Sequence, residues 1–400
     1  MSKKLKHFVL TLCLIGLSAV GALLGGLEDK TWWVLAGTGA VGVVLQTLTT
    51  RVGNAVGSPT SAASTTPAAL PLRQLPSSLP DFVGRTRELS QLRSASTGQG
   101  AADIRLVFGP GGVGKTSLVV QAVEQESERF PDGQLYVDLQ GYGPNALPPE
   151  QVLVGWLRDL GLDERVIPTT LTERSREFRS RMAGKRAAVI LDNADTEQQV
   201  RPLMVGGVNC VTYVTSRSPL GSLPTSMRIQ LDGLSVDESV ELLGRILGSD
   251  RVRTEEQPAH QLASASVGLP LALRVLAGRL VTEPRPLAAL VNRLDRRRAE
   301  GRLLAEFTFG DLSVEASLAL SREHLLLRAQ EAFDMLGLHP ADDWPDWSVA
   351  ALWGCTLLEA EEILESLTGA QLVKVVTAGS NGDIRYRMHD LVPRQGTLTW

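Results

Sequence analysis

The chain has 400 residues, 43% of them hydrophobic, enough for two or three domains with cores of their own. A net charge of −4 and 5% aromatic residues argue against a nucleic-acid partner. Cys13, Cys210 and Cys355 stand far apart in no metal or redox spacing, which excludes a disulfide scaffold and reads as small apolar residues in a reducing compartment.

In chain order, residues 8–27 form an uncharged run of about the length a helix needs to span a bilayer. Glu28-Asp29-Lys30 ends it, and residues 31–48 are a second such run, opened by Trp32 and Trp33, whose indoles favour the membrane interface. Together they predict a transmembrane helical hairpin over residues 1–52. Lys3, Lys4 and Lys6 precede it and Arg51 follows it, while the connecting loop is acidic. That asymmetry puts both termini in the cytoplasm and the protein at the cell membrane. A cleaved signal peptide shares the basic-then-apolar start, but the first run is long for one and the second follows at once. Residues 53–78, rich in Ser, Thr, Ala and Pro with no apolar periodicity, predict a flexible linker.

Residues 104–108 are short and apolar apart from Arg105, as a buried strand would be. Gly109-Pro110-Gly111-Gly112-Val113-Gly114-Lys115-Thr116 then fits the phosphate-loop spacing G-x-x-x-x-G-K-[ST], with Ser117 and a helical stretch to residue 126 behind it. Glycines let backbone N–H groups approach phosphate oxygens, Lys115 sets an ammonium on the β- and γ-phosphates, and the Thr116 hydroxyl is a Mg²⁺ ligand. A helix beginning there adds its positive end to the anion site. ATP or ADP with Mg²⁺ is the expected cofactor.

Further short strands at 134–139, 187–191, 211–215 and 227–231 alternate with helices near 150–160 and 173–182. The pattern predicts an α/β fold, a parallel sheet covered on both faces, with ligands at the carboxyl ends of its strands. Gly109, Asp192 and Arg217 all fall there. Asp192, closing a continuous apolar strand, matches the Mg²⁺-organising acid of phosphate-loop NTPases, and Arg217 is placed to clamp a γ-phosphate. Beyond residue 234 helices take over, at 236–247, at 259–280 interrupted by Gly268-Leu269-Pro270-Leu271-Ala272-Leu273, and over a basic stretch at 285–302. More helices follow from 312, then strands at 372–377 and 384–388 about a turn at 379–382, an order of helices then hairpin as in a winged helix.

The motifs, taken in order, resemble the NB-ARC class of STAND signalling ATPases. They are Val83-Gly84-Arg85, the phosphate loop, Leu191-Asp192, Thr215-Ser216-Arg217, the Gly268 to Leu273 motif and Met388-His389-Asp390. Phe130-Pro131-Asp132-Gly133-Gln134-Leu135 is similar to the actinobacterial branch. The resemblance implies a nucleotide-binding domain at 79–234, a helical domain at 235–302 and a winged-helix domain at 303–400, closing over ADP. It implies Val83 and Arg85 by the adenine and ribose, and Pro270 lining the adenine pocket. The phosphates would lie on Gly109, Gly111, Gly112, Val113, Gly114, Lys115, Thr116 and Ser117. His389 would reach the β-phosphate and lock the closed state, Arg217 would sense the γ-phosphate, and the ATP form would open and self-associate.

Two departures from the family pattern bear on turnover. Many members follow the first acid with a second that orients the attacking water; here that position is Asn193, which cannot take a proton, so either Asp195 two residues on substitutes for it or hydrolysis is slow. Members usually continue into a repeat domain that senses the trigger, whereas this sequence stops ten residues after Asp390. The sensor is then absent, truncated, or supplied by another protein. The expected function is a membrane-tethered, nucleotide-gated signalling ATPase of slow turnover. The alternatives are a non-hydrolysing ADP-binding scaffold and a DNA-binding regulator, against which the acidic balance and the absence of a basic helix near 361–367 both count.

Overall fold

A computed structural model describes residues 71–94, 102–207, 209–339, 341–377, 384–389 and 391. The expected hairpin and most of the expected linker lie outside the described residues, among which no helix is long and apolar enough to cross a membrane.

The central sheet is parallel, with strands β1 (Leu72–Arg73), β2 (Asp103–Phe108), β3 (Gly133–Asp138), β4 (Ala187–Ala194), β5 (Val211–Ser216) and β6 (Met227–Gln230) in the order β1-β3-β4-β5-β2-β6. Strand β1 corrects the linker assignment: Leu72 and Arg73 pair with Gly133 and Gln134 at the sheet edge. An edge strand needs only backbone donors and acceptors, so its Pro-rich surroundings hide it from pattern reading. The inner strands are apolar throughout because both faces are covered. Helices α1 (Thr86–Arg93) and α2 (Lys115–Gln125) cover one face, on Val107, Ile190 and Tyr213. The other carries α3 (Pro149–Asp159) and α4 (Leu171–Met182), with Trp156 and Phe178 on Leu106, Val189 and Val214. The short helix α5 (Glu197–Val200) follows β4.

Arg105, the one charge in the middle of β2, is fully buried. Its Nε and Nη2 donate to the Asp103 carboxylate at 3.0 and 2.5 Å, Nη1 donates to the Leu92 carbonyl of α1, and the guanidinium lies 5.7 Å from the Tyr213 ring centre.

The helices after the sheet are α6 (Val236–Leu247), α7 (Ser249–Thr254), α8 (Glu256–Ala265), α9 (Pro270–Thr282) and α10 (Leu287–Ala299). The helix expected at 259–280 is two, because Val267 and Gly268 take φ of +54° and +69° and Pro270 restarts the chain as the first residue of α9. Gly268 also has no room for a side chain: a Cβ there would lie 2.2 Å from the Leu234 carbonyl oxygen. The buried Glu306 carboxylate gathers Arg279, Arg293 and Arg297 at 2.9–3.0 Å, joining α9 and α10 to the segment beyond.

A small hairpin, β7 (Thr308–Phe309) and β8 (Leu312–Ser313), leads into α11 (Val314–Glu323), α12 (Leu327–Leu336), β9 (Trp344–Pro345), α13 (Asp346–Trp353), α14 (Leu357–Gly369), β10 (Val373–Thr377) and β11 (Ile384–Met388). The expected helices-then-hairpin order is present, and β9 completes an antiparallel sheet in the order β10-β11-β9. Leu118 of α2, Leu273 of α9 and Phe333 of α12 belong to one continuous apolar core.

Candidate functional site

The phosphate loop joins β2 to α2, and its glycines take the conformations the spacing requires: Gly112 and Gly114 have φ of +78° and +95°. Lys115 is 7% exposed and its Nζ donates to the Gly109 and Pro110 carbonyls, both at 2.9 Å, folding the side chain back over its own loop. Burial, assisted by the nearby Arg217 guanidinium, pushes the Lys115 ammonium down to about 7. A buried ammonium hydrogen-bonded to two carbonyls, with the Asp192 carboxylate as a partial counter-charge, fits an anion that would restore its charge.

Asp192 is 2% exposed, and three hydroxyls from three elements converge on it. Thr116 donates to its carboxylate at 2.8 and 3.0 Å, Thr215 of β5 at 2.5 Å and Tyr136 of β3 at 3.0 Å. Burial raises the Asp192 carboxyl above the ordinary carboxylate range, against the lowering effect of those hydrogen bonds. One hydroxyl and one carboxylate side by side are a donor set suited to Mg²⁺, which keeps most of its waters and takes few protein ligands. Tyr136 and Thr215 were not assigned roles from the sequence. Thr215 stands in the Thr215-Ser216-Arg217 motif, but nothing in the sequence marks Tyr136.

Asn193 and Asp195 have separate partners. Asn193, at φ +54°, donates through Nδ2 to Asp138 Oδ1 at 3.0 Å, while its N–H donates to Thr215 Oγ1. Replacing Asn193 by Asp should therefore lower stability by ~1–3 kcal/mol through the lost donor and the facing carboxylate, without raising hydrolysis. A denaturant melt beside a single-turnover assay checks it; faster turnover at unchanged stability would show that the position faces the attacking water instead. Asp195 pairs with His324, the residue directly after α11, at 2.9 Å.

Arg217 follows β5, with its guanidinium 4.8 Å over the Tyr142 ring. Its Nη1 donates to the Ser317 carbonyl at 2.6 Å and the Ser321 hydroxyl at 2.7 Å, both on α11.

The motifs before and after the sheet meet on the same loop. Arg85, 6% exposed, donates from Nη2 to the Val113 carbonyl at 3.3 Å, and Val83 is buried beside it in the core. The Arg85 N–H donates to Glu238 Oε1 at 3.1 Å, while Glu238 Oε2 accepts from the Ser235 N–H at 2.8 Å and closes the capping box of α6. Ser-x-x-Glu is legible as a helix start, though its grip on Arg85 is not. Asp81 and Arg274 form an ion pair between the segment before α1 and α9. From the Gly268 to Leu273 motif, the Leu271 N–H donates to the Gly112 carbonyl at 3.2 Å, and Pro270 Cγ lies 3.8 Å from where a Cβ on Gly114 would be. Val83, Arg85, Pro270 and the phosphate loop are thus brought together. His389 is buried at the end of β11, its N–H donating to the Leu372 carbonyl and its Nδ1 accepting from the Leu391 N–H, both within its own sheet and helix layer. Asp390 lies outside the described residues.

A proton should accompany the nucleotide. Lys115 is mostly neutral above about 7 in the free protein, and phosphate restores its charge, so binding takes up roughly one proton at most near pH 8. Uptake fades below pH 7, where the lysine is already charged, and again toward the ordinary lysine value of 10.5. Calorimetry of ADP binding in buffers of different ionisation enthalpy measures it; no uptake at pH 8 would remove Lys115 from the phosphate site.

The parallel sheet, its phosphate loop after β2 and the acid on β4, one strand removed across β5, make the chain a P-loop NTPase in fold. No protein-family model matches the sequence. It is 40% identical over 325 residues to the regulatory protein AfsR of Streptomyces griseus, covering 80% of this chain and 32% of that protein. To AfsR of Streptomyces coelicolor it is 38% identical over 338 residues, covering 82% and 33%. The chain thus spans about a third of the length of these curated relatives. Among solved structures it is similar to a STAND protein with a tetratricopeptide-repeat sensor from Pyrococcus horikoshii, at 16% identity and TM-score 0.38, over 82% of this chain and 43% of that one.

Proposed function

We propose that the chain is the nucleotide switch of a signalling regulator of the NB-ARC/STAND type, closed on ADP and opened by ATP into a self-associating form. The observation that carries this is the convergence on one phosphate loop of elements from all along the chain: Arg85 before it, Leu271 behind it and Ser317 of α11 against Gly111. Such an arrangement cannot open without breaking contacts on that loop, which ties conformation to what the loop holds. Two relatives named as regulatory proteins support a signalling role.

In this function Lys115 and the loop N–H groups hold the β-phosphate, and Thr116 and Asp192 hold Mg²⁺, which neutralises charge between phosphates when bound. Arg217 reads the γ-phosphate, Asp195 orients water, and a winged-helix domain over residues 303–400 supplies His389 to the closed state. Residues 1–52 anchor the switch in the cell membrane with both ends cytoplasmic. Sensor and effector are other proteins or other parts of a longer polypeptide. The engagement of Asn193 by Asp138 and of Asp195 by His324 favours slow turnover, or none, while the closed form lasts.

The nucleotide released on denaturing purified protein tests the proposal directly: ADP is expected at close to one per chain. Stoichiometric ATP, or no nucleotide together with no ADP binding, would overturn it.

A further inference from the structure

Helix α11 carries Ser317 and Ser321, and His324 directly after it continues their spacing; four and three residues apart, they lie along one stripe. The adjoining stripe, Val314 and Leu318, is buried in the core, and Ser321 beside it is buried too. The polar stripe meets four separate loops, each at the carboxyl end of a sheet strand. Ser317 Oγ lies 2.1 Å from where a Cβ on Gly111, after β2, would be. The His324 ring centre is 5.0 Å from that of Tyr142, after β3, and its Nε2 is 2.9 Å from the carboxylate of Asp195, after β4. Arg217, after β5, donates to Ser317 and Ser321. A Ser-Ser-His face therefore covers the edge where the loops of β2, β3, β4 and β5 leave the sheet, on the side where a third phosphate would lie.

We propose that this stripe is a removable plug for the γ-phosphate half of the site, occupying Arg217 and Asp195 together until a third phosphate displaces it. It rests on the nucleotide switch proposed above. The chemistry gives the direction. Arg217 exchanges a neutral carbonyl and a neutral hydroxyl for phosphate oxygens, and charge-assisted hydrogen bonds of a guanidinium are roughly twice as strong as neutral ones. Once α11 lifts, the Asp195 carboxylate loses its imidazole partner and faces the freed space, so a single movement releases both the γ-phosphate reader and the candidate base. His324 is a positioning residue in this scheme: it acts on the nucleotide only through Asp195.

The discriminating quantity is the ratio of affinities for a non-hydrolysable ATP analogue and for ADP, because a plug that competes with the third phosphate alone affects one ligand and not the other. In full-length protein, Ser321→Ala combined with His324→Ala should raise the preference for the ATP analogue by about fivefold to tenfold, most of it through Arg217, since the partly exposed His324–Asp195 pair contributes less. Ser321→Thr, which keeps the hydroxyl, should leave the wild-type ratio. Should the double variant fail to fold, Ser321→Ala alone is expected to move the ratio by about threefold. Wild type and variant that bind both nucleotides at the same ratio would overturn the plug while leaving the switch standing. Wild type that binds neither nucleotide would overturn the switch itself, and the plug with it.

Discussion

Lys115→Ala should lower affinity for both ADP and ATP by about a hundredfold or more, the effect of removing one partner from a desolvated charge pair. The same variant should be at least as stable as wild type without nucleotide. An ammonium buried to 7% exposure, hydrogen-bonded to the Gly109 and Pro110 carbonyls and only partly offset by Asp192 against burial and Arg217, is a destabilising group until an anion arrives. Calorimetric titration beside a thermal melt separates the two effects. Wild-type affinity in a folded variant would show that the loop does not hold phosphate. Lost affinity with a collapsed melting temperature would trace the loss to the fold.

Asp192→Asn should act in opposite directions on stability and function. Burial raises the carboxyl, so the folded state binds its proton more tightly than the unfolded state does. Wild-type stability therefore falls as pH climbs from the ordinary carboxylate value through the raised one, and the deficit persists at neutral pH. Asparagine still offers an acceptor to Thr116 and Thr215 without the charge, so the nucleotide-free variant should melt a few degrees higher at pH 7, by a smaller margin at pH 4. The Mg²⁺-dependent gain in ATP affinity should vanish, since an amide oxygen is a far weaker ligand for a hard cation. A variant that melts lower at pH 7 and keeps its magnesium dependence would remove Asp192 from the metal site.

Residues adjacent in sequence carried most of what could be read beforehand. Gly109 to Thr116 form a contiguous loop whose spacing dictates its chemistry, and Leu191-Asp192 is a local strand end. The family resemblance implies Arg85 by the adenine and ribose and Pro270 lining the adenine pocket; the contacts both make with the phosphate loop are legible only in the folded chain. What escaped depends on strand order, which no local pattern encodes. Strand β5 runs between β2 and β4, and only that order sets Thr215 against Asp192. Tyr136 reaches the same carboxylate from β3 and is, by sequence, an ordinary strand aromatic. The stripe of α11 escaped for a related reason: serines and a histidine at helical spacing read as a solvated face until the helix is seen lying against Arg217 and Asp195. Strand β1 shows the converse limit, since its pairing is all backbone.

Arg105 has a bearing on where the phosphate loop comes to rest. Ile104, Leu106, Val107 and Phe108 are nearly interchangeable as packing material, so an all-apolar β2 could slide along its neighbours at little loss and carry the loop with it. The guanidinium permits one alignment: a slip of a single residue would turn it and its strand-mate Asp103 to the other face of the sheet, away from the Leu92 carbonyl and the Tyr213 ring, and strand the ion pair among Trp156 and its neighbours. A bond network in the first half of the strand thereby works as a vernier for its tip, holding the register on which the approach of Thr116 to Asp192 depends.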